Sequence, residues 1–253
     1  MSGVSPDFRL DGRIALVTGA SSGLGERFAM ALREAGAELA ITARRTEHLA
    51  RLADVLGGDT ISVAGDIRRP EVRAALIAEV RDHHGRLDVL VNNAGACDTG
   101  PLEYQTLTEI ADIVDLDLVA PIDLCRLAAP LLFAGRGPSV INVASIFGQV
   151  GSRMPMAAYN ASKGALVNFT RHLAAQWGRQ GVRVNALAPG FFPTELTGHL
   201  TDPRQRAAIE HRTFLGRIPD VTELDAPLVF LASDAASYVT GQVLTVDGGW
   251  TAT

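Results

Sequence analysis

Lysine is almost missing from this chain: of 23 basic residues 22 are arginine, and Lys163 stands alone. Cysteine is nearly as scarce. Cys97 and Cys125 are too few for a disulfide framework, and neither belongs to a CxxC or Cys/His cluster that would hold zinc. Both read as small apolar residues of the interior or its margin, and no metal is expected. Positive charge is also short. With a formal net charge of -5 there is no surplus to neutralise nucleic-acid phosphates, so nucleic acid is excluded as an expected partner. No stretch reaches the roughly 18 uninterrupted apolar residues of a membrane span. Residues 1–10 carry Asp7 and Arg9 around Pro6 and lack the apolar run of a secretory signal. The expectation is a cytoplasmic protein.

What the chain does have is a rhythm. Short β-branched or apolar runs at 14–18, 38–43, 60–64, 89–92, 139–144, 183–188 and 242–246 alternate with longer stretches of helical period, such as 27–35, 71–83, 157–179 and 221–233. Strands separated by amphipathic helices predict an α/β fold with a parallel sheet and crossover helices. A chain of 253 residues that is 47% apolar can bury one core, and no linker or repeat divides it, so a single domain over 1–253 is expected. The long interruption at 191–218 reads as a lid beside a substrate.

The first run ends in Thr18-Gly19-Ala20-Ser21-Ser22-Gly23-Leu24-Gly25, and a helical pattern starts near Glu26. A strand that turns sharply into a helix aims unpaired N–H groups and the positive end of the helix dipole at one spot, which suits a pyrophosphate. Glycines there let phosphates approach the backbone.

This spacing resembles the short-chain dehydrogenase/reductase family in its branch of about 250 residues. The resemblance continues through Asp66, Asn92-Asn93-Ala94-Gly95, Ser145, Tyr159-x3-Lys163, Pro189-Gly190, Thr240-Gly241 and Val246-Asp247-Gly248-Gly249. It implies a Rossmann-type doubly wound sheet of seven strands with helices on both faces, its ligand at the carboxyl ends of the strands. It further implies a cofactor cradle built from Gly19, Ser21, Ser22, Gly23, Leu24, Gly25, Asp66, Ile67, Asn93, Ala94, Gly95, Pro189, Gly190 and Thr194, with Asp66 at the adenine. A homotetramer, paired through helices near 117–132 and 157–179, is implied as well.

The end of the second strand bears on the choice of dinucleotide. An acidic residue there would accept hydrogen bonds from a free ribose 2′-hydroxyl. This chain instead has Ala43 followed by Arg44 and Arg45, and guanidinium groups grip phosphate bidentately, which favours NADP over NAD. An ordinary basic loop before a helix near His48 is the competing explanation.

Tyr159 and Lys163 stand four apart in a helical segment and so share one face. A phenol is a poor acid or base at neutral pH unless a cation stabilises its phenolate. A sequence that otherwise meets its need for positive charge with arginine places its single lysine there, where a compact ammonium differs chemically from a guanidinium. Tyr159 is thus the expected general acid/base for hydride transfer between a nicotinamide and a ketone or secondary alcohol. Ser145 would hold the same substrate oxygen, and by resemblance Lys163 also binds the nicotinamide ribose.

One position departs from the family. Where an asparagine is expected, whose backbone carbonyl holds a water in a proton relay, this chain has Asp117. Close to Lys163 its carboxylate would offset part of the ammonium's effect and raise the catalytic pKa. A solvated acid on a helix face is the alternative. Substrate choice should reside in 146–156 and 191–218, which mix Phe147, Met154, Phe191, Phe192 and Phe214 with Gln149, Arg153, Glu195, His199 and His211. That mixture permits a sugar acid or polyol, or a 3-oxoacyl thioester. The non-enzymatic alternative is a dinucleotide-binding sensor or scaffold.

Overall fold

Strands that are apolar on both faces need cover on both sides, and that requirement organises this chain. The computed structural model describes residues 8–97 and 100–252, without the side chains of His199 and Thr201. The segment read for a targeting signal therefore lies largely outside the described residues. The strands are β1 (Ile14–Thr18), β2 (Glu38–Ala43), β3 (Ile61–Ala64), β4 (Val89–Asn92), β5 (Ser139–Val143), β6 (Arg183–Pro189) and β7 (Val243–Val246). Every residue of β1, β4, β5 and β6 is buried, while β3 and β7 at the edges are less covered. All seven pair in parallel in the order β3-β2-β1-β4-β5-β6-β7. The predicted strands are thus present, with ends shifted by a residue in places.

The helices are α1 (Gly23–Glu34), α2 (Thr46–Leu56), α3 (Pro70–His84), α4 (Leu107–Val114), α5 (Ala120–Phe133), α6 (Ala157–Trp177), α7 (Pro203–Arg212) and α8 (Asp225–Ala232). Successive strand residues point to opposite faces. Val17 and Val91 pack under Phe28 and Leu32 of α1, Leu49 of α2 and Leu228 of α8. Leu16 and Leu90 pack under Leu76 of α3, Leu124 of α5 and Trp177 of α6. The helix predicted at 221–233 is a 3-10 turn, Val221–Leu224, followed by α8. The stretch 191–218 is more structured than its sequence suggests, holding a 3-10 segment (Glu195–Thr201) and α7.

The chain winds outward from β1 to β3, then crosses back to lay β4 on the other side of β1. Loops leaving the carboxyl ends of β1 and β4 therefore diverge and open a crevice, the general ligand position in such sheets. Among the described residues no helix is long and apolar enough to cross a membrane, and no group of three potential metal ligands converges.

Candidate active site

The glycine-rich turn is shaped by close backbone approach. Gly19 has φ +69, and a Cβ there would lie 2.8 Å from Cα of Ala94; one on Gly25 would collide with the Gly19 carbonyl. The two turns are also tied to each other. Asn93 Nδ2 donates to the Thr18 carbonyl at 2.8 Å, and Thr18 Oγ1 accepts from the N–H groups of Asn93 and Ala94 at 3.0 Å.

Around these turns runs a cleft of about 540 Å³, a size typical of small-molecule sites. Gly19, Ser21, Ser22, Gly23, Leu24 and Gly25 line it from β1 and α1, and Asn93, Ala94 and Gly95 from β4. Arg44, Arg45, Asp66 and Ile67 line the end beyond β2 and β3. Ser145, Tyr159 and Lys163 line the other end, together with Pro189 and Gly190 after β6, while Thr194 lines the cleft against Gly23. Asp117 sits behind this wall.

At the β2 end the two arginines differ. Arg45 pairs with Glu195 and donates to Ser21, whereas Arg44 makes no side-chain hydrogen bond among the described residues. Asp66 pairs with Arg68 at 2.6 Å, and that hydrogen bond holds its carboxyl below the ordinary range.

At the other end a buried polar chain fixes α6 to the sheet. Asn92 Nδ2 donates to Asn142 Oδ1 at 2.8 Å, and Asn142 Nδ2 donates to Thr170 Oγ1 of α6 at 2.9 Å. A Cβ on Gly148 would lie 2.7 Å from the Lys163 carbonyl, so only glycine lets the Ser145 turn pack this tightly on α6. Gly148→Ala is expected to destabilise the fold by about 1–3 kcal/mol and to cut turnover more than cofactor affinity, read by urea melts and steady-state kinetics.

Lys163 is buried, its Nζ donating to the Val143 carbonyl at 3.0 Å, with Asp117 Oδ2 at 3.4 Å and the Tyr159 ring centroid at 5.6 Å. Burial works to lower its pKa, but the charges of Asp117 and Tyr159 outweigh that and raise it. Burial pushes the Tyr159 phenol up; Lys163 and a hydrogen bond from Ser145 pull it down, while Asp117 and Cys97 add to the rise. Asp117 is fully buried, with Oδ1 accepting from the Ala96 N–H at 2.9 Å. It is therefore no solvated helix-face acid. It lies in a π turn, Asp115–Val119, joining α4 to α5.

The substrate end is more apolar than the sequence alternatives required. Ile146, Phe147, Met154, Met156, Phe191 and Leu196 line it. Arg153, His211 and Phe214 are exposed, while Gln149 bonds Thr245. The side chain of His199 lies outside the described ones. Glu195 sits at the cofactor end instead. Cys97, read only as a small apolar residue, lines the cleft half-buried and acts on both Tyr159 and Lys163. No local pattern marks it. Cys125 is fully buried, its thiol pushed up to about 12.

A family described as enoyl-(acyl carrier protein) reductase matches residues 19–251. The 3-oxoacyl-(acyl-carrier-protein) reductase of Vibrio cholerae is 35% identical over 240 residues, covering 95% of this chain and 98% of that one. D-threitol dehydrogenase of Mycolicibacterium smegmatis is 36% identical, covering 97% and 95%. A gluconate 5-dehydrogenase from Burkholderia cenocepacia, solved in complex with NADP and tartrate, superposes with a TM-score of 0.92 at 36% identity and 98% coverage of each chain. Matched by the family over 19–251 and by relatives at about 35% identity along nearly its whole length, this chain belongs to the short-chain dehydrogenase/reductase family.

Proposed function

We propose that the protein is an NADP(H)-dependent oxidoreductase that interconverts a ketone and a secondary alcohol. The observation that carries this reading is the Tyr159 phenol, hydrogen-bonded to Ser145 and beside the Lys163 ammonium, at one end of a cleft that runs past the glycine turn. The cradle fits a dinucleotide: glycine at 19 and 25 lets the β1 and β4 turns close tightly on each other, and the N-terminus of α1 opens into the cleft beside them. Gly23, Leu24 and Gly25 would hold the pyrophosphate, Arg44 and Arg45 the 2′-phosphate, Asp66 and Ile67 the adenine, and Asn93, Ala94, Gly95, Pro189, Gly190 and Thr194 the nicotinamide half. The bound cofactor supplies the hydride or accepts it.

Ser145 orients the substrate oxygen, and Tyr159 donates a proton as negative charge develops there. In the oxidative direction the tyrosinate takes that proton, stabilised by Lys163. Asp117 acts from behind as a positioning residue, holding Lys163 and the Ala96 backbone. The segment 191–218 covers the substrate as a lid. The two substrate classes are a sugar acid or polyol and a 3-oxoacyl thioester; the apolar lining favours the second. A homotetramer in the cytoplasm completes the proposal. Val119, Ile122 and Phe133 leave apolar surface on and beside α5 for a partner subunit.

The test is NADPH oxidation by purified protein with 3-oxoacyl thioesters, simple ketones and 5-ketogluconate, repeated with NADH. No turnover with any would defeat the enzymatic reading in favour of a sensor. Arg44→Ala should raise KM for NADPH far more than for NADH; equal changes would remove Arg44 from the phosphate site.

A further inference from the structure

The cofactor reading leaves one side chain unexplained. Glu195 belongs to the segment after β6, yet it reaches across the cleft mouth to the place where that reading seats the cofactor's phosphates. Its Oε1 lies 3.0 Å from Arg45 Nη1, and its Oε2 accepts from Ser22 Oγ at 3.3 Å. Arg45 in turn donates from Nε to Ser21 Oγ at 3.3 Å and from Nη2 to the Ser21 carbonyl at 3.4 Å. The approach is built into the backbone as well: a Cβ on Gly23 would lie 3.4 Å from Cβ of Thr194. A carboxylate thus sits among groups suited to an anion.

We propose that Glu195 competes with the cofactor's 2′-phosphate for Arg45, and so limits how strongly this chain prefers NADP over NAD. The inference rests on the dinucleotide reading above. Both partners are substantially exposed, 40% for Arg45 and 68% for Glu195, so their pairing is loose enough for an incoming anion to displace. A 2′-phosphate reaching Arg45 has to displace this carboxylate or sit beside it, against like-charge repulsion. A ribose 2′-hydroxyl carries no charge and meets no such opposition. Arg44 makes no competing bond, so the two arginines are unequal: one stands ready, the other is already engaged. Besides Arg45, His48 of α2 is the titratable side chain that acts on Glu195.

Calorimetric titration of NADP+ and NAD+ into wild type, Glu195→Gln, Arg45→Ala and the double variant tests this. Glutamine keeps an acceptor for Ser22 and removes only the charge. Glu195→Gln should tighten NADP+ about three- to five-fold and leave NAD+ nearly unchanged, and the gain should vanish when Arg45 is alanine. Unchanged NADP+ affinity, an equal gain for NAD+, or a gain that survives Arg45→Ala would each overturn the competition while leaving the dinucleotide reading intact. A wild type that binds neither nucleotide would overturn both.

Discussion

Arginine in place of Lys163 is expected to cut turnover by about 10²–10⁴-fold, the range for losing effective general acid/base catalysis, although positive charge is conserved. The reason is shape. Nζ is held between the Val143 carbonyl and Asp117, and the Cβ position of Gly95 lies only 3.3 Å from it. A planar guanidinium does not fit there without moving α6 or the β4 turn, and once displaced its charge no longer sits beside the phenol. Burial already pushes Tyr159 upward, and Lys163 is the first influence that opposes it; without that opposition the tyrosinate forms still less readily. Oxidation of the alcohol, which needs the tyrosinate, should suffer more than reduction. Both directions are measurable by NADPH absorbance, with thermal melts to establish that the variant is folded. Turnover near wild type would sink the assignment of Lys163 and, with it, the proposed role of Tyr159.

The solitary lysine shows why much of the site was legible. The strands were readable because a parallel sheet covered on both faces demands continuous apolar runs, such as Ile14–Thr18 and Ser139–Val143. The cofactor end was readable because glycine is obligatory where Gly19 and Gly25 touch neighbouring backbone. Other features left no periodic trace. α7 buries none of its residues, so no apolar stripe betrays it, although Asp202 and Pro203 supply a cap and a first-turn proline. The π turn at Asp115–Val119 obeys the pattern of an ordinary helix. Where Glu195 and Cys97 point depends on loops whose course is fixed by distant contacts, so composition alone put Glu195 with the substrate and Cys97 in the packing.

Asp117→Leu is expected to cost about 3–5 kcal/mol of stability, because it breaks a buried pair and leaves a charge without its partner. The leucine variant strands the Lys163 ammonium beside the Val143 carbonyl and orphans the Ala96 N–H, whose acceptor is Asp117 Oδ1. Lys163 holds its proton more tightly folded than unfolded. That stabilisation is therefore present throughout neutral pH and fades only as pH rises past the ordinary lysine range. Urea unfolding at neutral pH measures the loss, and a change of only a few tenths of a kcal/mol would mean that the pair behaves as an exposed one. Asp117→Asn separates charge from structure, since its amide oxygen can still accept from Ala96. With one negative charge gone, both members of the Tyr159–Lys163 pair release protons more readily, and the apparent pKa values of the pair fall. Reduction needs protonated Tyr159, so its decline at high pH should begin earlier; oxidation needs the tyrosinate, so its rise should also begin at lower pH. Limbs that coincide with those of wild type would make Asp117 a scaffold for the Ala96 turn with no electrostatic part in the chemistry. Limbs that move upward would reverse the sign of the interaction itself.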